Sequence, residues 1–166
     1  MGKRKPNFKR DLVRGKRGEE MLVALWPDVF MALEEECRAY DCRHVDGRTV
    51  ELKTDYYDHV TTPNFFMEYA SHEKPGGPWR SLRDRVDIFA YLFVEPHPLL
   101  HVWEDVPRLV EVLNNRFVPS APERNICNGK WAAQGYLVDR ELLVKYSNPT
   151  VFMVNADINT QSRKQD

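Results

Sequence analysis

The run Ile88-Phe89-Ala90-Tyr91-Leu92-Phe93-Val94 is the feature that most limits what this chain can fold into. Seven apolar residues in succession leave no polar face to give to water, as expected of a strand buried on both faces. The segment Asp41–Lys53 is written differently. Asp46-Gly47 lies between two alternating runs, a strong hairpin signal. A three-residue loop Val45-Asp46-Gly47 puts the glycine at the left-handed position that a bulged turn requires. His44 then opposes Arg48, Arg43 opposes Thr49 and Asp41 opposes Glu51, with Lys53 on the same face as Glu51. Tyr40, Cys42, Val50 and Leu52 form the apolar face. A two-residue loop would turn Asp41 to that apolar face instead, so the longer loop is preferred.

Two carboxylates placed opposite each other repel, and a divalent cation relieves them. Hard oxygen ligands of this kind suit Mg²⁺ or Mn²⁺. The same face also fits an edge hairpin whose charges are simply solvated and paired.

At 166 residues, with 42% hydrophobic and 11% aromatic content, one domain with a real core is expected. A net charge of −1 excludes a wholly basic nucleic-acid binder, so any such contact must rest on local patches. One patch is N-terminal, where Lys3, Arg4, Lys5, Lys9, Arg10, Arg14, Lys16 and Arg17 are opposed only by Asp11. Cys37, Cys42 and Cys127 lack CxxC spacing, so neither a disulfide framework nor a zinc ribbon is indicated. No apolar run approaches the roughly 18 residues of a membrane span, and no signal-peptide pattern opens the chain. A reducing, cytoplasmic setting without membrane contact is expected, or the host cytoplasm if a phage encodes the chain.

Residues 1–10 read as a basic disordered arm, 11–154 as one domain and 155–166 as a disordered tail. Asp11–Trp26 has helical spacing, with Leu12, Gly15, Glu19, Leu22, Val23 and Trp26 on one stripe and Pro27 ending it. Glu19 is thus an inward acid that needs a cation or metal, or a paired boundary residue. Gly15 leaves room for another backbone or a phosphate. Residues 28–39 fit strand or helix, 54–63 a loop near the hairpin, and 64–70 a strand carrying Glu68. After the Lys74–Pro78 turn, whose Gly76 and Gly77 amides could hold phosphate, a short helix 79–86 presents Arg80 and Arg83 on one strip. Leu99–Trp103 reads as a strand, and His97 and His101 are kept from a helical metal pair by prolines. Asp105 reads as the cap of a helix with Val106, Leu109, Val110 and Leu113 inward. Residues 118–135 read as irregular, and 136–146 as a short element burying Leu137, Leu142 and Leu143.

The order helix-Glu19, Asp41, Glu51-Leu52-Lys53, then helix and strand resembles the PD-(D/E)XK nuclease superfamily. Arg14-Gly15-Lys16-Arg17-Gly18-Glu19-Glu20-Met21-Leu22 is similar to the start of archaeal Holliday-junction resolvases. Val50–Asp55, Asn64–Tyr69 and Lys74–Gly77 look like small bacteriophage-type nucleases of that superfamily. The resemblance covers about residues 12–94; Ala39-Tyr40 stands where the literal proline would precede Asp41.

The resemblance implies an α/β fold, a restriction-endonuclease-like αβββαβ core with a central mixed sheet flanked by helices. It implies a Mg²⁺-dependent deoxyribonuclease, endo- or exonuclease, with Mn²⁺ able to substitute, acting on branched or end-bearing DNA. Asp41, Glu51 and the Leu52 carbonyl would hold the metal, with Glu19 as a further ligand or water-positioning acid. Lys53 would orient the attacking water. Arg14, Lys16, Arg17, Lys74, Arg80 and Arg83 would contact the DNA backbone, and junction cutting would call for a homodimer. The alternative is a catalytically silent DNA-binding or assembly module of the same fold.

Overall fold

The structure, a computed structural model, describes residues 8–72, 74–128 and 131–154. In chain order its elements are α1 (Phe8–Leu25), β1 (Phe30–Met31), β2 (Cys42–His44), β3 (Thr49–Asp58), β4 (Asn64–Ser71), β5 (Lys74–Pro75) and α2 (Gly77–Arg83). There follow β6 (Ile88–Glu95), β7 (Leu99–Trp103), α3 (Val106–Val112) with a π-helical turn (Leu113–Phe117), β8 (Glu123–Asn128), β9 (Trp131–Asp139), α4 (Arg140–Ser147) and β10 (Thr150–Met153). The fold is mixed α/β. One sheet has the order β1-β2-β3-β6-β7-β10 and the other β5-β4-β9-β8. Among the described residues only β3 and β6 pair in parallel, and the other ladders are antiparallel.

The apolar run is the strand expected of it, for every residue from Ile88 to Val94 is buried. Its alternation divides the interior in two. Phe89, Tyr91 and Phe93 face a core built with Phe65 and Met67 of β4, Trp103 of β7, Leu109 of α3, Leu113, Val138 of β9 and Leu143 of α4. Ile88, Ala90, Leu92 and Val94 face the other core, with Leu22 of α1, Phe30, Cys42, Val50, Leu100 and Val102. Each large apolar side chain removed from water contributes roughly 1.5–3 kcal/mol, which is why this strand anchors both layers. A polar bridge joins the two sheets: the Tyr91 hydroxyl donates to Asp55 Oδ2 at 2.7 Å and accepts from the Phe66 N–H at 3.1 Å.

Four expectations need correction. The order helix, strands, helix, strand is present, but β4 leaves the central sheet and pairs with β5 and β9. Residues 54–58, expected in a loop, continue β3 because β6 runs beside them. Residues 123–128 and 131–135, expected to be irregular, belong to β8 and β9, whose ladder runs between Glu123–Asn128 and the Trp131–Tyr136 stretch. Leu142 is exposed at 45%, while Leu143 beside it is fully buried.

The first helix begins at Phe8 rather than Asp11. Residues 1–7 of the expected arm and the whole expected tail 155–166 lie outside the described residues. Asp105 caps α3 as anticipated, accepting from the Arg108 N–H at 2.9 Å, and Val106, Leu109, Val110 and Leu113 are buried.

Candidate functional site

The hairpin turn forms as its residues dictate. Gly47 has φ +95°, the His44 N–H donates to the Arg48 carbonyl at 2.8 Å, and Arg43 opposes Thr49. Asp46 is a turn residue, held by the Arg48 backbone N–H at 3.1 Å and by its guanidinium at 2.9 Å. One step of the expected register fails. The Asp41 N–H donates to the Val50 carbonyl at 2.9 Å, so Asp41 is drawn beside Val50 and does not form a ladder pair with Glu51. Its carboxylate does something else: Oδ2 accepts from the Leu52 N–H at 2.8 Å, taking the place of a neighbouring strand's carbonyl.

That substitution opens the site. Beyond Val50 no described strand pairs with the outer edge of β3, whereas β6 accompanies its inner edge to Asp58. A strand residue's N–H and C=O project to the same edge, so the Leu52 carbonyl faces this open edge beside Asp41. A cleft of about 900 Å³ runs along it, and Glu19, Asp41, Glu51, Leu52 and Lys53 all line it. Glu19 arrives from α1, whose approach depends on Gly18 rather than Gly15. A Cβ on Gly18 would lie 2.0 Å from Thr54 Oγ1, while one on Gly15 would meet nothing within 4 Å.

The acids are crowded. Burial, then the charge of Asp41, pushes Glu51 up to about 8 against the relief given by Arg80. Burial followed by Asp41 also pushes Glu19 up to about 7. Asp41 itself is raised by burial, opposed by the Leu52 N–H and by Arg80. Two cations answer in part. Arg80 of α2 places Nη1 3.9 Å from Glu51 Oε1, and Lys53 Nζ lies 3.8 Å from Glu68 Oε2 of β4.

Among the described residues no acidic, histidine or cysteine side chains form a group of three that could hold a metal ion. A Mg²⁺ ion asks for less, since one or two carboxylates commonly hold it while several waters stay bound. Asp41, Glu51 and the Leu52 carbonyl are oxygen donors of that kind on one cleft, and the repulsion from Asp41 that helps raise Glu51 is what a divalent cation there would relieve.

The expected backbone-contact residues separate. Arg14 lines the cleft. Lys16 is exposed and 3.5 Å from Glu36, and Arg17 and Lys74 are exposed. Arg80 turns inward to Glu51, Asp84 and the Arg38 carbonyl, while Arg83 pairs with Asp84 at 2.7 Å, so the two arginines do not share one phosphate strip. Gly76 and Gly77 are not an open phosphate cradle, for a Cβ on either would collide with Glu68, and the Gly76 N–H donates to the Tyr69 carbonyl.

Arg124, Asn64 and Phe66 also line the cleft and were not singled out from the sequence. Arg124 sits in the segment expected to be irregular; Asn64 and Phe66 lie in the Asn64–Tyr69 stretch that carries the family resemblance, where neither had a role assigned. No helix among the described residues is long and apolar enough to cross a membrane. No protein-family model matches the chain, and no curated protein matches it either.

Proposed function

We propose that this chain is a Mg²⁺-dependent DNA hydrolase of PD-(D/E)XK type, cutting phosphodiester bonds in the cleft along the open edge of β3. The observation that carries this reading is the meeting of Glu19, Asp41, Glu51 and Lys53, from three separate segments, around one cleft. The element order over residues 8–95 supports it, although β4 lies in a second sheet.

Asp41, Glu51 and the Leu52 carbonyl would hold the cation, which supplies Lewis acidity toward the phosphate and acidifies a bound water. Lys53 faces the same space and offsets phosphate charge, with Glu68 keeping its ammonium in place. Arg80 draws Glu51 toward α2 and limits the repulsion it feels from Asp41. Glu19 lines the same cleft, where it would position the attacking water or add an oxygen to the cation.

The test is a labelled linear duplex and a labelled single strand incubated with Mg²⁺, using the native chain, Asp41→Ala and Lys53→Ala. Each substitution is expected to slow cleavage by about a hundredfold or more, the usual scale for losing a group that stabilises transition-state charge. Equal cleavage by all three proteins refutes the site. A second reading, a DNA-binding module that does not cut, is favoured by the pairing of Lys53 with Glu68 and of Glu51 with Arg80. Binding without cleavage under either Mg²⁺ or Mn²⁺ would establish it.

A further inference from the structure

The cleft is lined by rings as well as by carboxylates, Asp55 and Glu68 lying among them. Tyr56, Tyr57 and Phe66 all line it, yet none has a part in the hydrolytic chemistry above. Their placement has specific causes. The ladder between β3 and β6 slips between Asp55 and Asp58, so Tyr56 and Tyr57 together oppose the single residue Val94. Such a bulge re-aims side chains, and every β3 residue from Glu51 to Tyr57 lines the one cleft, which follows the strand's open edge. Tyr56 is committed to the wall: its hydroxyl donates to the Arg14 carbonyl at 2.8 Å, and the Arg14 guanidinium lies 5.1 Å from its ring centroid. Tyr57 is not, and stands 66% exposed at the cleft's far end.

Phe66 approaches from the second sheet. Its ring lies over Gly135 of β9, where a Cβ would come within 2.5 Å of it, so the glycine makes room for an aromatic platform. Lys53 Nζ is 5.7 Å from the centre of that ring. Arg124 of β8 supplies a further cation on the same wall. Rings alternating with cations in a groove are the arrangement that holds a polynucleotide strand by base stacking and phosphate contact.

The pairing state of that strand follows from geometry. Within a duplex, base faces are covered by their neighbours and only edges reach the grooves. Rings set inside a cleft of about 900 Å³ then have nothing to stack on. An unpaired base offers its faces freely, and a cleft of this size accepts a ligand of a few nucleotides. From the hydrolase reading, on which this rests, we infer that the cleft takes unpaired DNA, with bases stacked on Phe66 and Tyr57 and phosphates passing Lys53 and Arg124. Glu51 and Tyr57 are six residues apart on β3, roughly 20 Å. The strand is therefore gripped several nucleotides away from the bond that is cut.

Fluorescence anisotropy in EDTA at low salt tests this without any turnover. The probes are a fluorescein-labelled oligo(dT), a blunt hairpin duplex with the same label, and an oligonucleotide lacking bases. The native chain is expected to bind oligo(dT) more tightly than the hairpin. Tyr57→Ala should weaken oligo(dT) binding roughly five- to hundredfold, the range for loss of one stacking partner. Tyr57→Phe should restore it, and Phe66→Leu, which keeps apolar bulk over Gly135, should weaken it likewise. The abasic strand should bind native chain and Tyr57→Ala alike. Hairpin binding as tight as oligo(dT) binding, or oligo(dT) affinity unchanged by Tyr57→Ala, overturns the inference. Because no hydrolysis is measured, these outcomes are separate from the cleavage assay of Asp41→Ala, which judges the chemistry alone.

Discussion

Two glycines three residues apart on one helix should respond to the same substitution with opposite signs. Ala is favoured over Gly in a helix interior by about 1 kcal/mol. At Gly15 nothing opposes that gain, since an added Cβ meets no atom within 4 Å. Gly15→Ala is therefore expected to stabilise the chain by up to about 1 kcal/mol. At Gly18 the new methyl would lie 2.0 Å from Thr54 Oγ1, 2.8 Å from its Cγ2 and 2.9 Å from its Cβ. Thr54 is short and branched at Cβ, so it cannot swing clear while β3 stays paired to β6. Overpacking of this kind costs about 1–3 kcal/mol, which outweighs the helix gain and leaves Gly18→Ala destabilised by about 1–2 kcal/mol. The strain also lifts α1, and Glu19 with it, away from Asp41, so cleavage should fall along with stability. Urea unfolding in EDTA measures the first effect, and the rate on a labelled substrate the second. Thr54→Ala in the Gly18→Ala background removes the two closest atoms and should recover most of the loss. If Gly18→Ala matches Gly15→Ala in stability, or Thr54→Ala gives no recovery, the packing of α1 on β3 is not what positions Glu19.

Three further outcomes are expected. Glu51 and Glu19 have folded-state values raised to about 8 and about 7 above an ordinary 4.5, so the folded chain holds more protons than the unfolded one across that window. Without divalent cation, stability should be greatest below about pH 4.5 as far as these two groups are concerned and fall as pH rises toward 8. Mg²⁺ added at pH 8 should raise Tm, since it binds only the folded arrangement; a flat profile in EDTA, or a Tm indifferent to Mg²⁺ and Mn²⁺, counts against the cluster. Tyr91→Phe strips the Asp55 carboxylate and the Phe66 N–H of a shared partner and should cost about 1–3 kcal/mol in urea unfolding, where an unchanged midpoint would deny the inter-sheet bridge. Asp105→Ala removes the cap of α3 and should cost about 1 kcal/mol by the same assay, with no change in cleavage because α3 lies away from the cleft.

Local pattern carried the hairpin and the buried strand, because both are decided by side-chain alternation and a single glycine. Gly47 sets the turn, the turn sets Arg43 opposite Thr49, and the polar face follows. Asp41 escaped the same logic: its carboxylate competes with the backbone for the Leu52 N–H, and period-two counting has no place for a side chain acting as a strand. The strand β4 was legible as a strand but not as a member of the second sheet. Phe65 and Met67 inward with Phe66 and Glu68 outward is the same pattern whichever ladder it joins, and the choice was made by β9, some seventy residues later. Arg124 was hidden for the same reason, since the polar strand carrying it exists only by pairing with β9. Gly18 and Gly15 looked equivalent in sequence; only the path of α1 over Thr54 separates them.

The two-sided packing of β6 also limits how this chain can vary in length. Phe89, Tyr91 and Phe93 fill one chamber and Ile88, Ala90, Leu92 and Val94 fill the other, and the two sets differ greatly in size. Adding or deleting one residue within β6 would send rings into the space shaped for aliphatic groups and leave voids where the rings had been. Glu51 lies beside Phe89 and Lys53 beside Tyr91, so the same indel would shift the acid and the lysine relative to each other's surroundings. A library of single-residue insertions should therefore be purged throughout Ile88–Val94 and tolerated in the exposed turns on either side.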